Sequence, residues 1–210
     1  AKWTRSLVYY AAEIEGGTVT AHGGEKDGKY LAFAATTVTA DAAPAGQKFA
    51  YWVDADGKIV SYKAEYKFYI SADTALTAVY VSEETEVEVK PVLSISADPE
   101  AMTTERIMYY LSWDIPESTA TSVVNTGFIV VNKADYKEET FKVGTTDTNV
   151  SVLTLGKAYR VHNSAFAADK GSMKYDNTYV AATWATYVDA TTGQQVTVYS
   201  DAIEVYKPAP

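Results

Sequence analysis

The sequence predicts an all-β protein made of two tandem β-sandwich modules. Apolar and polar residues alternate in short runs rich in Thr, Val and Tyr, which is the pattern of half-buried strands. Helical periodicity is nearly absent, and turn signals separate the runs at the spacing typical of sandwiches and barrels. A chain of 210 residues is long enough for two modules of this kind.

The composition excludes several classes of function. A net charge of −9 and a pI near 4.7 make nucleic acid and anionic membranes poor partners, because phosphate binding requires clustered Lys and Arg. The chain has no cysteine, which excludes disulfides, thiolate catalysis and zinc–sulfur sites. No apolar run approaches the roughly 18 residues of a membrane span, so we expect no membrane insertion.

The first half of the chain contains candidate strands that end at an acidic boundary. These strands are "SLVYYAA", "GTVTAH", "KYLAFAATTVTA", "KFAYWVD", "KIVSYK", "YKFYI" and "LTAVYVS". A run of glutamates from Glu83 to Glu88 then leads into Lys90 and Pro91. We therefore predict a first module over residues 1–90 and a second over residues 91–210.

The second half repeats this style without aligning well to the first half. Its candidate strands are "RIMYYLSWDI", "TGFIVVNK", "NVSVLTLG", "YRVHNSAF", "TYVAATWATYVD" and "QQVTVYSDAIEVY". The segment "DATTGQQ" is a turn signal between the last two strands, and the final "KPAP" resembles the start of a Pro-rich linker.

The segment "FAYWVDADGKIVSY", residues 49–62, is predicted to be a hairpin and not a calcium loop. An EF-type loop requires a third acidic residue and a Glu six positions after the glycine, and both are missing. If Asp56 and Gly57 form a two-residue turn, Trp52 lies opposite Ser61. One face then carries a predicted core set: Phe49, Tyr51, Val53, Val60 and Tyr62. The other face carries Ala50, Trp52, Asp54 and Ser61.

The sequence leaves two interpretations of Trp52. A Trp among small and polar neighbours is suited to stack against a sugar ring, with nearby polar groups bonding the hydroxyls. Alternatively, the indole packs between modules or under a loop. A turn of three to five residues shifts the register and turns the indole inward.

The other aromatic residues divide by alternation into core and surface sets. Trp113 and Trp184 are predicted in the sandwich core, and Trp3 is expected to hold the N-terminal strand in place. The predicted core face around Trp113 also contains Ile107, Tyr109, Leu111 and Ile115. The alternative to ligand binding, for each Tyr that is predicted to point outward, is packing against the neighbouring strand on a solvated face of the sheet. The candidate glycan-binding residues are Trp52, Asp54, Lys67, Tyr69, Tyr110, Tyr179 and Tyr187.

One stretch of the first half resembles a known module. "AGQKFAYWVDADGKIVSYKAEYKFYISADTALTAVY" is similar to the internalin B-repeat, over about one sixth of the chain. The matching positions are Gly46, Phe49, Trp52, Asp56, Gly57, Phe68, Asp73, Leu76, Ala78 and Tyr80. Near the end, "NTYVAATWATYVDATTGQQVTVYSDAIEV" resembles the closing strands of a fibronectin-III-like or immunoglobulin-like module.

These resemblances imply a modular protein that is secreted or at the cell surface. Such modules occur in large assemblies of gut Firmicutes, which are Gram-positive bacteria, including adhesins, cellulosomes and starch-degrading amylosomes. The aromatic load makes the chain most similar to the non-catalytic starch-binding modules of amylosomes. The expected partners are a polysaccharide, with an α-glucan favoured, and other modules of a larger protein, and the expected state is a monomer.

Motifs for catalysis or for cofactor and metal binding are missing from the sequence. His22 and His162 lie outside any metal-binding pattern, and no phosphate-binding or nucleophile motif is present. A glycosidase pair among the 27 acidic residues is the remaining catalytic alternative. We therefore expect a non-catalytic, cofactor-free protein that binds starch or another α-glucan in a groove between its modules. The rival hypothesis is a structural spacer or adhesion module of a larger surface protein.

Overall fold

The computed structural model of the protein describes residues 7–101, 104–155, 161–168 and 173–209. These residues form an all-β, sandwich-like fold with two modules, which confirms the predicted fold class. The chain divides into two compact units, residues 1–88 (the first unit) and residues 89–210 (the second unit). Across the described ranges, no helix is both long enough and apolar enough to cross a membrane. Trp3 lies outside the described residues.

The first unit consists of two sheets. Its strands are β1 (Tyr9–Glu15), β2 (Gly17–Ala21), β3 (Glu25–Lys26), β4 (Lys29–Leu31), β5 (Ala35–Ala40), β6 (Gln47–Asp54), β7 (Ile59–Ser61), β8 (Glu65–Tyr69) and β9 (Thr74–Ser82). One sheet has the order β3-β4-β1-β9-β6-β7, and the other has the order β2-β5-β8. Neighbouring strands are antiparallel except for β1 and β9, which are parallel.

The core of the first unit is formed by side chains from both of its sheets. Val38, Trp52 and Leu76 are the buried centre, at 0%, 0% and 3% exposure. Gly17 makes room for the indole, because a Cβ atom there would lie 2.6 Å from Trp52 Cη2. The partly buried residues around this centre are Ile14, Val19, Ala40, Phe49, Val60, Tyr66, Phe68 and Ala78.

The second unit also consists of two sheets. Its strands are β10 (Val92–Asp98), β11 (Ile107–Asp114), β12 (Ala120–Asn132), β13 (Ser151–Thr154), β14 (Val161–Ala168), β15 (Asn177–Asp189), β16 (Gln195–Tyr199) and β17 (Ile203–Lys207). A short 3-10 helix, Lys133–Asp135, follows β12. One sheet has the order β10-β11-β14. The other has the order β13-β12-β15-β16, and β17 also pairs with β15.

The sandwich core of the second unit contains the face of β11 that alternation predicted. Ile107, Tyr109, Leu111, Trp113 and Ile115 are all buried, and the residues between them are only half-buried. The opposing sheet contributes Phe128 and Val130 from β12, and Tyr179, Ala181, Ala185 and Tyr187 from β15. A strand with one face in a core shows this alternation clearly in its sequence.

The other face of the β12–β15 pair is also buried, because the chain folds back across it. Residues 133–150, which we call the covering segment, bring Tyr136, Phe141 and Val143 against this face. Trp184 lies here, at 2% exposure, and not in the sandwich core as predicted. It packs over Gly127, where a Cβ would lie 2.8 Å from the indole. The two central strands are therefore apolar on both faces.

Candidate functional site

The predicted hairpin forms, with a turn one residue longer than expected. Asp54 N donates to Lys58 O at 3.0 Å, so residues 55–57 are the loop, and Gly57 has a φ of +79°. The Asp54 carboxylate accepts hydrogen bonds from Asp56 N at 3.0 Å and Lys58 N at 2.9 Å. The Asp54 oxygen that was a candidate for binding sugar hydroxyls is therefore already engaged in closing the turn.

Trp52 is fully buried, so its predicted role as an exposed platform is wrong. It lies opposite Ser61 as predicted, but this face packs against the second sheet of its unit. The indole Nε1 donates to Ala64 O at 3.3 Å, which satisfies the buried donor. Its small neighbours Ala50, Ser61 and Gly17 provide space for a large core side chain, and do not indicate an open surface.

A bulge in β6 separates the aromatic residues of the hairpin differently from the prediction. The register shifts between Phe49 and Tyr51 where β6 pairs with β9. Phe49 is therefore on the core side with Trp52, at 5.8 Å between ring centroids. Tyr51 pairs with Tyr62 at 6.1 Å, half-buried and outside the core cluster. Phe49, Tyr51 and Tyr62 were predicted to lie on the core face. This prediction is wrong for Tyr51 and Tyr62.

Tyr179 and Tyr187 are buried, and their prediction as outward ligand contacts is wrong. They are 2% and 5% exposed and lie in the sandwich core, because the face beside them is occupied by Trp184 and the covering segment. Burial raises the pKa of both hydroxyls. The Tyr179 hydroxyl donates to Lys174 O at 3.4 Å.

The remaining candidates do not form one site. Lys67 is exposed and forms an ion pair with Glu65 at 2.9 Å, on the edge strand β8. Tyr69 and Tyr110 are half-buried, the first at the end of β8 and the second in the middle of β11. Their roles in ligand binding stay predictions.

Two exposed tyrosines were missed in the sequence. Tyr206 is 52% exposed, and Tyr199 is 38% exposed. They pair with Thr178 and Trp184 respectively, so both lie on the face of β15 that carries the covering segment. The alternation in "IEVYK" places Val205 inward and Tyr206 outward, and this signal could have identified Tyr206.

Tyr206 is held in place by a carboxylate. Its hydroxyl donates to Asp176 Oδ1 at 2.9 Å, and this hydrogen bond raises the Tyr206 pKa. Glu204 lies two residues away on the same strand and forms an ion pair with Lys133 of the covering segment. Tyr199 is held in a similar way, because its hydroxyl accepts from Val143 N at 2.8 Å. A fixed aromatic ring with polar groups beside it is an arrangement that can stack against a sugar.

A buried cation ties the last strand to the first turn of the second unit. Lys207 is 2% exposed, and its Nζ donates to Pro99 O at 2.6 Å. The same Nζ lies 5.7 Å from the Tyr175 ring. Burial lowers the Lys207 pKa, and the charges of Asp98 and Glu100 partly oppose this effect. We interpret this cation as a structural clamp, because its hydrogen bond joins the last strand to the turn after β10.

The described residues contain no cluster suited to a metal. Within the described ranges, His, Cys, Asp and Glu form no group of three or more that could hold an ion. His22 is exposed, and the backbone of His162 lies in β14. A shallow pocket of about 10 Å³, partly open to solvent, is lined by Asn132, Asn149, Ser151 and Tyr179, among others. It is smaller than the roughly 300–1,000 Å³ of small-molecule sites.

Comparison with known proteins supports part of the resemblance. Residues 9–84 match a family model described as the divergent InlB B-repeat domain. The match covers nearly all of the first unit and confirms that this unit is similar to the internalin B-repeat. It indicates a surface-protein module of the adhesion or spacer type. No curated protein and no solved structure gives a significant match.

Proposed function

We propose that the chain is a non-catalytic spacer segment of a larger surface protein, with other modules of that protein as its neighbours. The observation that carries this proposal is the burial of the side chains best suited to bind a glycan. Trp52, Trp113 and Trp184 are at most 2% exposed, and each fills a core cluster. These three indoles therefore stabilise the cores of the two units.

Affinity electrophoresis tests the spacer proposal. The folded full chain is run in gels containing amylose, xylan or β-glucan, beside a non-binding protein of similar size. We expect no retardation in any gel. Retardation in one gel would contradict a pure spacer and would identify the class of glycan.

A second candidate function is α-glucan binding on the exposed face around Tyr206. The observation that favours it is a tyrosine ring that is 52% exposed and fixed by Asp176, with Glu204 and Lys133 nearby. The C–H face of a glucose unit would stack on the ring, and the polar groups would bond its hydroxyls. This site replaces the sequence-predicted one, whose Trp52, Tyr179 and Tyr187 are buried.

A matched pair of variants tests this second candidate. Maltooligosaccharides are titrated calorimetrically into the wild type, Tyr206→Ala and Tyr206→Phe. Stacking predicts that Tyr206→Ala abolishes binding and that Tyr206→Phe, which keeps the ring, retains most of it. Binding that persists in Tyr206→Ala would place the site elsewhere, and no binding by the wild type would reject the candidate.

A further inference from the structure

The first and last strands of the first unit are hydrogen-bonded neighbours that run in the same direction. Residues 12–15 of β1 pair in parallel with residues 74–77 of β9. β4 lies on the other side of β1, and β6 on the other side of β9, so the pair is in the middle of the six-stranded sheet. β4 pairs with residues 9–11 of β1, just before the overlap, and β6 pairs with β9 from Leu76 onward.

This arrangement determines how the unit responds to tension. The chain enters the pair at Tyr9 and leaves it at Ser82, and because the strands are parallel, these points lie at opposite ends of the pair. The strands overlap only over residues 12–15 and 74–77, so β1 extends beyond the overlap at one end and β9 at the other. Pulling the two chain ends slides one strand along the other and loads the hydrogen bonds of the overlap together.

Side-chain hydrogen bonds extend the overlap at both of its ends. At the entry end, Ala11 N donates to Asp73 Oδ1 at 2.8 Å. At the other end, the Tyr80 hydroxyl lies 3.1 Å from Gly16 O and 3.0 Å from Asp41 O. The Asp73 side chain therefore connects β1 to the residue before β9, and the Tyr80 side chain connects β9 to the residue after β1.

The second unit has a different connection between its terminal strands. β10 belongs to the sheet β10-β11-β14, whereas β17 pairs with β15 in the other sheet. Each pairs antiparallel with its own neighbour, and the ladders of the described residues do not join them directly. Among the described residues, tension that crosses this unit passes between its sheets through side-chain packing and single side-chain hydrogen bonds, such as Lys207 Nζ to Pro99 O, and not along a shared backbone ladder.

We propose that the first unit is a tension-bearing module, with the β1–β9 overlap as the element that resists force. This inference deepens the proposed spacer function and rests on it, because a spacer in a surface protein transmits the load between the modules on either side. The overlap resists force well because several hydrogen bonds must break in one step. A ladder opened from one end breaks them one after another.

Single-molecule force measurements on the full chain test the inference by changing only the direction of pull. The chain contains no native cysteine, so introduced pairs define the attachment points. Leu7→Cys with Glu83→Cys loads the overlap along the strands. Leu7→Cys with Ala72→Cys places both attachments at one end of the overlap and opens it from there. All three positions are exposed.

We expect the first pair to give an unfolding force roughly twofold or more above the second, since the hydrogen bonds of the overlap are then broken together. Matched thermal unfolding of the two variants verifies that the fold is the same. Equal forces in both directions would overturn the inference.

A second measurement uses handles at the two ends of the full chain. The units are distinguished by their contour lengths, roughly 32 nm for residues 1–88 and roughly 44 nm for residues 89–210 at about 3.6 Å per residue. We expect the first unit to unfold at the higher force, and Asp73→Ala to lower that force without changing the second unit. A first unit that unfolds at the lower force, or an unaltered force in Asp73→Ala, would count against the overlap.

The outcomes separate this inference from the proposal on which it rests. A weak or direction-independent first unit overturns the tension-bearing role and leaves the spacer proposal in place. Retention in a glycan gel overturns the pure spacer proposal. It does not alter the measured unfolding forces of the first unit, which test the tension-bearing role separately.

Discussion

Trp52 in the first unit and Trp184 in the second are buried in the same manner but differ in one hydrogen bond. Each indole packs over a glycine whose missing Cβ leaves the space, Gly17 for the first and Gly127 for the second. Trp52 Nε1 donates to Ala64 O, whereas Trp184 Nε1 has no hydrogen-bond partner among the described residues. The two units therefore bury an indole in the same way, but among the described residues only the first unit provides a hydrogen-bond acceptor for the indole N–H.

The largest effect is expected from filling the space under each indole. Gly127→Ala places a Cβ 1.9 Å from Leu153 O, a backbone atom, and should destabilise the second unit by more than about 4 kcal/mol. Gly17→Ala places a Cβ 2.5 Å from Thr39 O and should cost the first unit about 3 kcal/mol. Urea unfolding followed by tryptophan fluorescence measures both changes.

The control for this pair is a glycine without neighbours. A Cβ at Gly193 has no atom within 4 Å, so Gly193→Ala costs only the strain of its positive φ, about 1–2 kcal/mol. A cost for Gly127→Ala no larger than for Gly193→Ala would show that neither Leu153 O nor Trp184 packs closely against Gly127.

Replacing each indole by a phenyl ring sharpens the comparison. Both substitutions leave a cavity, but Trp52→Phe also leaves Ala64 O without its donor, whereas Trp184→Phe removes a donor that has no described partner. We expect a cost of about 3 kcal/mol for Trp52→Phe and about 2 kcal/mol for Trp184→Phe. Chemical denaturation of the two variants under identical conditions gives the difference. Equal costs would mean that the Trp184 donor is satisfied in solution.

Alkaline pH should weaken both units through buried tyrosines. Burial raises the pKa of Tyr66 in the first unit, and of Tyr109 and Tyr179 in the second. A raised folded pKa contributes stability that is present below the unfolded value of about 10 and is lost as the pH rises, by about 1.4 kcal/mol for each pKa unit. The urea midpoints of both units, measured at about pH 8, 10 and 11, should therefore fall as the pH rises. Constant midpoints would contradict the burial.

The smallest effect is expected at Tyr109, whose buried hydroxyl has no partner among the described residues. Tyr109→Phe should be neutral or should stabilise the second unit by up to about 1 kcal/mol, because an unpaired polar group is removed. It should also reduce the loss of stability above pH 10. Tyr179→Phe is the control, since its hydroxyl donates to Lys174 O and its removal should be mildly destabilising. A destabilised Tyr109→Phe would reveal a partner for that hydroxyl.

Alternation predicted the sandwich core of the second unit because β11 has one face in the core and one face away from it. The assumed two-residue turn gave the pairing of Trp52 with Ser61 correctly, although the loop has three residues, because the register shifts between Trp52 and Val53. It did not show which face of the hairpin meets the second sheet, because that depends on β2 and β5, which are distant in sequence. Small neighbours were interpreted as an open surface, although they give a buried indole its space.

The prediction for β15 failed for a different reason. Both faces of this strand are buried, one in the sandwich and one under the covering segment, so its sequence contains no polar face. The positions of Tyr179 and Trp184 were therefore assigned to the wrong sides. Only the segment after β12 contains the signal, in the apolar residues Phe141 and Val143, and these were not predicted to cover a sheet.

The parallel pairing of β1 with β9 also determines when the first unit can fold. Ala11 and Asp73, which meet beside the overlap, are 62 residues apart in the sequence. The central ladder cannot close until nearly the whole unit has left the ribosome, and contacts of such long range slow folding because the loop must close before they form. The six-stranded sheet of the emerging first unit is therefore incomplete until its last strand is made.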